Sequence, residues 1–71
     1  MFTKNDLMSY LSDIEAMEVK MRDLYNSTAE IIDDKEIKKT LHGLAKIEQE
    51  HKNLVVELRG LIAKKPVTKD E

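Results

Sequence analysis

The chain has 71 residues, 41% hydrophobic and 37% charged, with a formal net charge of -2 and no cysteine. That length allows one small domain, and abundant Glu, Lys, Leu and Ile beside two glycines and one proline is the composition of long helices. Disulfides and thiolate metal staples are excluded, and interspersed charges of both signs offer no basic stripe, so nucleic acid is not an expected partner.

In chain order, Leu7, Leu11, Ile14, Glu18, Met21, Tyr25, Thr28 and Ile32 recur at alternating steps of four and three, which predicts a helix over about residues 6–32. Thr3 or Asn5 stands where its cap is needed. A flanking row, Tyr10, Met17, Leu24 and Ile31, widens the seam into a stripe suited to a bundle, with Met8, Met17 and Met21 as core filler. Next, Asp33 with Glu36 three residues on reads as a capping box, and Ile32 with Ile37 as its hydrophobic staple. A second helix over about 34–64 repeats the scheme with Ile37, Leu41, Leu44, Glu48, His51, Val55, Leu58 and Ile62 on the seam and Ile47, Leu54 and Leu61 in the flanking row. His42 falls off the seam and reads as a surface residue. Pro66 blocks further helix, leaving 65–71 as a polar tail.

A link this short makes neighbouring helices antiparallel. The expected fold is therefore all-α: a single domain over 1–71, ordered over about 4–64, forming an antiparallel two-helix hairpin. A chain of this size seldom closes a sufficient core alone, so a homodimer forming a four-helix bundle is expected. No apolar run approaches the roughly 20 residues that span a bilayer, and the start MFTKNDLMSYLSDIE lacks a secretory apolar stretch. A cytoplasmic location with no membrane partner is expected.

The polar residues on the apolar seam carry the functional reading. In a hairpin turning near Asp33, residues whose numbers sum to about 66 lie level, which pairs Glu18 with Glu48, each roughly 22 Å from the turn. His51 shares the face of Glu48 because a step of three nearly completes a helical turn. Two carboxylates and an imidazole at one height would be costly if bare, and a bound cation removes that cost. One hairpin thus supplies half of a known arrangement, in which two helices each give a Glu and two others each give Glu-x-x-His to two metals. A two-fold dimer completes it. Carboxylate-rich ligation with one His per metal suits iron, two per dimer, with manganese or zinc as substitutes.

Glu18, Tyr25, Glu48 and His51 resemble the ferritin/rubrerythrin superfamily pattern, in which a Glu is followed seven residues later by a Tyr and, on the next helix, by Glu-x-x-His. Within it the layout "Y…DKEI…IEQEH", over about residues 11–63, is most similar to the two-helix encapsulated ferritin-like proteins. The resemblance implies a ferritin-like four-helix bundle built by dimerisation, or a ring of such dimers, and a ferroxidase that oxidises Fe(II) to Fe(III) with dioxygen at a di-iron site shared between subunits. It further implies Glu18 as a terminal ligand, Glu48 as the bridging carboxylate, His51 as the imidazole ligand and Tyr25 as a hydrogen-bond partner behind them. Glu15 and Glu50 form a candidate outer cation-gathering site. The family association also implies iron mineralisation inside an encapsulin shell, although "PVTKDE" is unlike the small and aliphatic targeting segments of that family and Leu24 replaces an aromatic. The alternatives are a non-catalytic helical interaction module and a metal-binding bundle without redox turnover.

Overall fold

A computed structural model of the chain describes residues 2–67. Two helices, α1 (Lys4–Glu30) and α2 (Lys35–Ala63), pack against each other, and no strand occurs among the described residues. Part of the expected polar tail, residues 68–71, lies outside the described residues. Neither helix is long and apolar enough to cross a membrane.

The helix ends follow from their caps. Thr3 caps α1: its hydroxyl accepts from the Asp6 amide at 3.1 Å while the Asp6 carboxylate accepts from the Thr3 amide at 2.9 Å. That reciprocal box satisfies two otherwise orphaned donors. At α2 the cap is Asp34, accepting from the Ile37 amide at 2.9 Å. The expected Asp33/Glu36 box is therefore displaced by one residue. With Asp34 in the capping position, the reciprocating place falls to Ile37, which has no acceptor side chain, and the cap is one-sided. Both helices begin and end within a few residues of expectation, and the link is Ile31 to Asp34 rather than one residue.

The interhelix seam differs from expectation on α2. Leu41, Glu48, Val55 and Ile62 face α1 as expected, but Ile37, Leu44, His51 and Leu58 are exposed, and Lys38, Ala45, Lys52 and Arg59 take their places. The reason is that the apolar arc is wider than one contact. Its edge meets α1, while its centre points out of the hairpin. Leu7, Leu11, Ile14, Glu18, Met21, Tyr25 and Thr28 on α1, with Ile32 in the link, are all buried or half-buried, and Ala29 joins them. Ala29 and Ala45 are fully or almost fully buried, as small residues are where two backbones approach closely.

This packing leaves little core. Among the described residues only Leu11, Ala29, Ala45 and Ile62 are buried. The radius of gyration is 16.2 Å, against about 11 Å for a compact domain of this length. The hairpin measures 54 × 17 × 12 Å, so it is a rod two helices wide and one thick. Tyr10, Met17 and Leu24 stand exposed on α1, with Ile31 at its C-terminal cap, and Ile37, Leu44, Ile47, Leu54, Leu58 and Leu61 on α2. At 100° per residue both rows are offset to the same side of their seams, and in an antiparallel pair that places them on one common face. The opposite face is polar. There, Arg22, Asn26, His42, Ala45, Lys46 and Gln49 line a shallow groove.

Candidate metal centre

Glu18 and Glu48 reach the same height because each helix runs the same number of residues from the turn, as the level-sum rule requires. His51 follows one turn after Glu48. The three residues each offer a ligand atom, and these atoms lie within 4.8 Å of one another. Two donors held at about 2.1 Å by one ion are at most about 4.2 Å apart, so the cluster closes on an ion with a movement of about half an ångström. His51 turns Nδ1 toward Glu18 Oε2 at 3.7 Å, a separation too long for a hydrogen bond.

The electrostatics are those of two carboxylates held close together. Glu18 Oε2 is buried and accepts no hydrogen bond among the described residues. The carboxyl of Glu48 is held above its ordinary value of 4.5, first by a hydrogen bond to Glu18 open only to its protonated form, then by desolvation and by the negative charge of Glu18, with His51 opposing. A divalent ion between the two carboxylates would offset that repulsion. An orphaned buried oxygen beside a second carboxylate and an imidazole nitrogen therefore fits a hard or borderline cation.

The placement is also directional. Glu18 is at the seam, with a side chain only 20% exposed, whereas the His51 side chain is 53% exposed. His51 is flanked along α2 by Leu44, Ile47, Leu54 and Leu58, so the cluster opens onto the exposed apolar face. Tyr25, two turns from Glu18, is half-buried, and its hydroxyl makes no hydrogen bond to the cluster among the described residues. Glu15 is not in the cluster. Its Oε1 lies 2.6 Å from Arg59 Nη2, while Arg59 Nη1 donates to Ser12 Oγ at 2.7 Å. Glu50 is exposed, and His42 is a surface residue whose Nδ1 lies 3.0 Å from Asn26 Oδ1.

Sequence reasoning missed Arg59. Its signal was present as the row Lys38, Ala45, Lys52 and Arg59, basic at three of four heptad positions, on the polar edge of the seam. Comparison with protein-family models, curated proteins and solved structures finds no match to the chain.

Proposed function

We propose that the chain is a ferroxidase-type iron-binding protein in which two hairpins join through their apolar faces, and Glu18, Glu48 and His51 of each complete a di-iron site between them. The observation that carries this reading is the buried, unpartnered Glu18 Oε2 with carboxylate and imidazole donors gathered around it and open toward the apolar face. A second hairpin would bring the same three donors about a two-fold axis, giving four carboxylates and two imidazoles. Such a donor set favours iron or manganese over structural zinc, which takes more nitrogen or sulfur.

Iron is the substrate in this scheme. Two Fe(II) each give up one electron to dioxygen, which leaves with two protons as hydrogen peroxide, and Fe(III) is released. The residues act by position and charge. Glu18 and Glu48 balance the incoming cations, the Nδ1 of His51 fixes one coordination direction, and the apolar side chains around His51 exclude bulk water once the faces meet. Tyr25 is assigned to the surroundings of the site, steadying a carboxylate of the assembled bundle. A rod 12 Å thick encloses no space for mineral. That geometry favours disposal of Fe(III) elsewhere, and an encapsulin shell is the proposed destination.

The test is anaerobic loading with Fe(II) followed by air, recording iron per assembly, assembly size and the near-ultraviolet ferric absorbance. Two irons per dimer, oxidised faster than in buffer and abolished in Glu48→Ala, are expected. Tight Mn(II) or Zn(II) without oxygen uptake would leave a metal-binding bundle without turnover. A stable dimer that binds no metal would leave an interaction module, with Glu48 and His51 fixing its register.

A further inference from the structure

Successive turns of α1 carry two carboxylates with a buried oxygen each, Glu15 and Glu18, and their surroundings differ. Glu18 Oε2 has no hydrogen-bond partner. Glu15 Oε1 likewise accepts no hydrogen bond among the described residues, but it is ion-paired with Arg59 Nη2 at 2.6 Å, and Arg59 Nη1 donates to Ser12 Oγ. Residues three apart on a helix have Cβ atoms about 5–6 Å apart, so an unpaired Glu15 would be within reach of any cation bound at Glu18.

Resting on the ferroxidase reading above, we infer that Arg59 is a positioning residue that withholds Glu15 from the metal and thereby sets the charge of the site. With Glu15 neutralised, each hairpin presents the two negative charges of Glu18 and Glu48. A dimer presents four, matching two divalent ions. If Glu15 were unpaired the dimer would present six, matching two trivalent ions instead. Arg59 therefore tunes the site to hold Fe(II) and to shed Fe(III), which a product-releasing oxidase needs and a ferric trap does not. The side chain suits the task. Its planar guanidinium stays charged at all working pH values and pairs with Glu15 through one nitrogen while donating to Ser12 through another, which a lysine does less rigidly.

The test uses redox-inert probes on the full chain, so it does not depend on turnover: Mn(II) as the divalent ion and Tb(III), followed by its luminescence, as the trivalent one. Wild type is expected to take one Mn(II) per chain. Arg59→Met should tighten Tb(III) about tenfold or more while changing Mn(II) less, because the added attraction scales with the charge of the ion. Arg59→Lys, which keeps the ion pair, should stay near wild type. Should circular dichroism find Arg59→Met unfolded, the uncharged pair Glu15→Gln with Arg59→Met decides. Wild-type affinity in that double variant means Glu15 is no ligand, as inferred, and lost affinity means that it is one. Tb(III) binding unchanged in a folded Arg59→Met reduces Arg59 to an interhelix staple and overturns the inference alone. Absence of Mn(II) and Tb(III) uptake by wild type overturns the di-metal reading and the inference with it.

Discussion

The two long faces of the hairpin are built from the same heptad scheme and have opposite needs. On the polar face, groups find partners within the chain: Arg22 Nη1 donates to Gln49 Oε1 at 2.5 Å, Gln49 Nε2 to Asn53 Oδ1 at 2.9 Å, and His42 meets Asn26. On the other face, ten large apolar side chains are left in water, and the polar cluster among them holds an oxygen without a partner. Soluble monomers rarely expose a continuous apolar surface of that size. The difference teaches that packing within one chain covers one side only, and that the exposed apolar face and the carboxylate–imidazole cluster lie together.

The largest expected effect comes from breaking the apolar face. Leu54 is 61% exposed in the single hairpin, so Leu54→Glu should be harmless to a monomer. If the faces meet, it places a charge in the new core at a cost on the order of 3 kcal/mol per hairpin. Sedimentation should then find the assembly dissociated, and circular dichroism should find much of the helix lost, because two long helices with four buried residues are marginal alone. Lys46→Glu on the polar groove is the control and should change neither. An assembly that survives Leu54→Glu intact would mean that the apolar face is not the junction.

Next in size is the effect of metal. If the ligands come from two chains, metal binding becomes a folding and assembly energy. At a free ion concentration about 100-fold above the dissociation constant, binding adds about 2.7 kcal/mol. For a domain this small that is a rise in Tm of roughly 10–20 °C. Calorimetry with and without Mn(II) should find the rise in wild type and its absence in Glu48→Ala. In the metal-free protein Glu48→Ala should be no less stable than wild type, because the substitution removes a repulsion rather than a contact. A marked loss of apo stability would instead make Glu48 a structural residue.

A smaller effect separates the apo and loaded states by sign. The Glu48 carboxyl sits above its unfolded value of 4.5 in the folded hairpin, so the folded state binds the proton more tightly there. Glu48 accordingly opposes folding while it is ionised, and that penalty is relieved as pH falls through its raised folded value. The loaded protein should respond in the opposite direction, since protons compete with a metal for its ligands. Melting curves taken between pH 7 and the range just above 4.5 should therefore move apart less with each step of acid, and converge. Apo and loaded curves that shift in parallel would place the metal elsewhere.

Much of the fold was legible because its signals are local. The seven-residue recurrence from Leu7 to Ile32 marks one helix and its buried side, and of the two caps that the sequence offers, Thr3 and Asn5, the structure uses Thr3. The level pairing of Glu18 with Glu48 needed only the rise per residue and the position of the turn, and the cluster forms as that arithmetic requires. Ile37, Leu44 and Leu58 were read onto the wrong contact for a physical reason. Periodicity reports which residues avoid water in the end, summed over every partner, and cannot divide the arc between α1 and a second surface. Arg59 was missed because its meaning depends on Glu15, 44 positions away, and a basic residue at the edge of a seam looks like any solvated one until its partner is 2.6 Å from it.

The smallest effect tests the polar face, where Arg22, Gln49 and His42 find partners within the chain. Gly60 lies in the middle of the last turns of α2, on the side away from the apolar row, and a Cβ built there meets nothing within 4 Å. Glycine inside a helix costs about 0.5–1 kcal/mol relative to alanine through the freedom of the unfolded chain. Gly60→Ala should therefore raise Tm by roughly 2–8 °C while leaving assembly size and metal uptake untouched. If the polar face instead packs against another copy, the added methyl would meet that copy. The gain would then vanish or turn into a loss that grows with protein concentration, so melting at two concentrations distinguishes a finished face from a second junction.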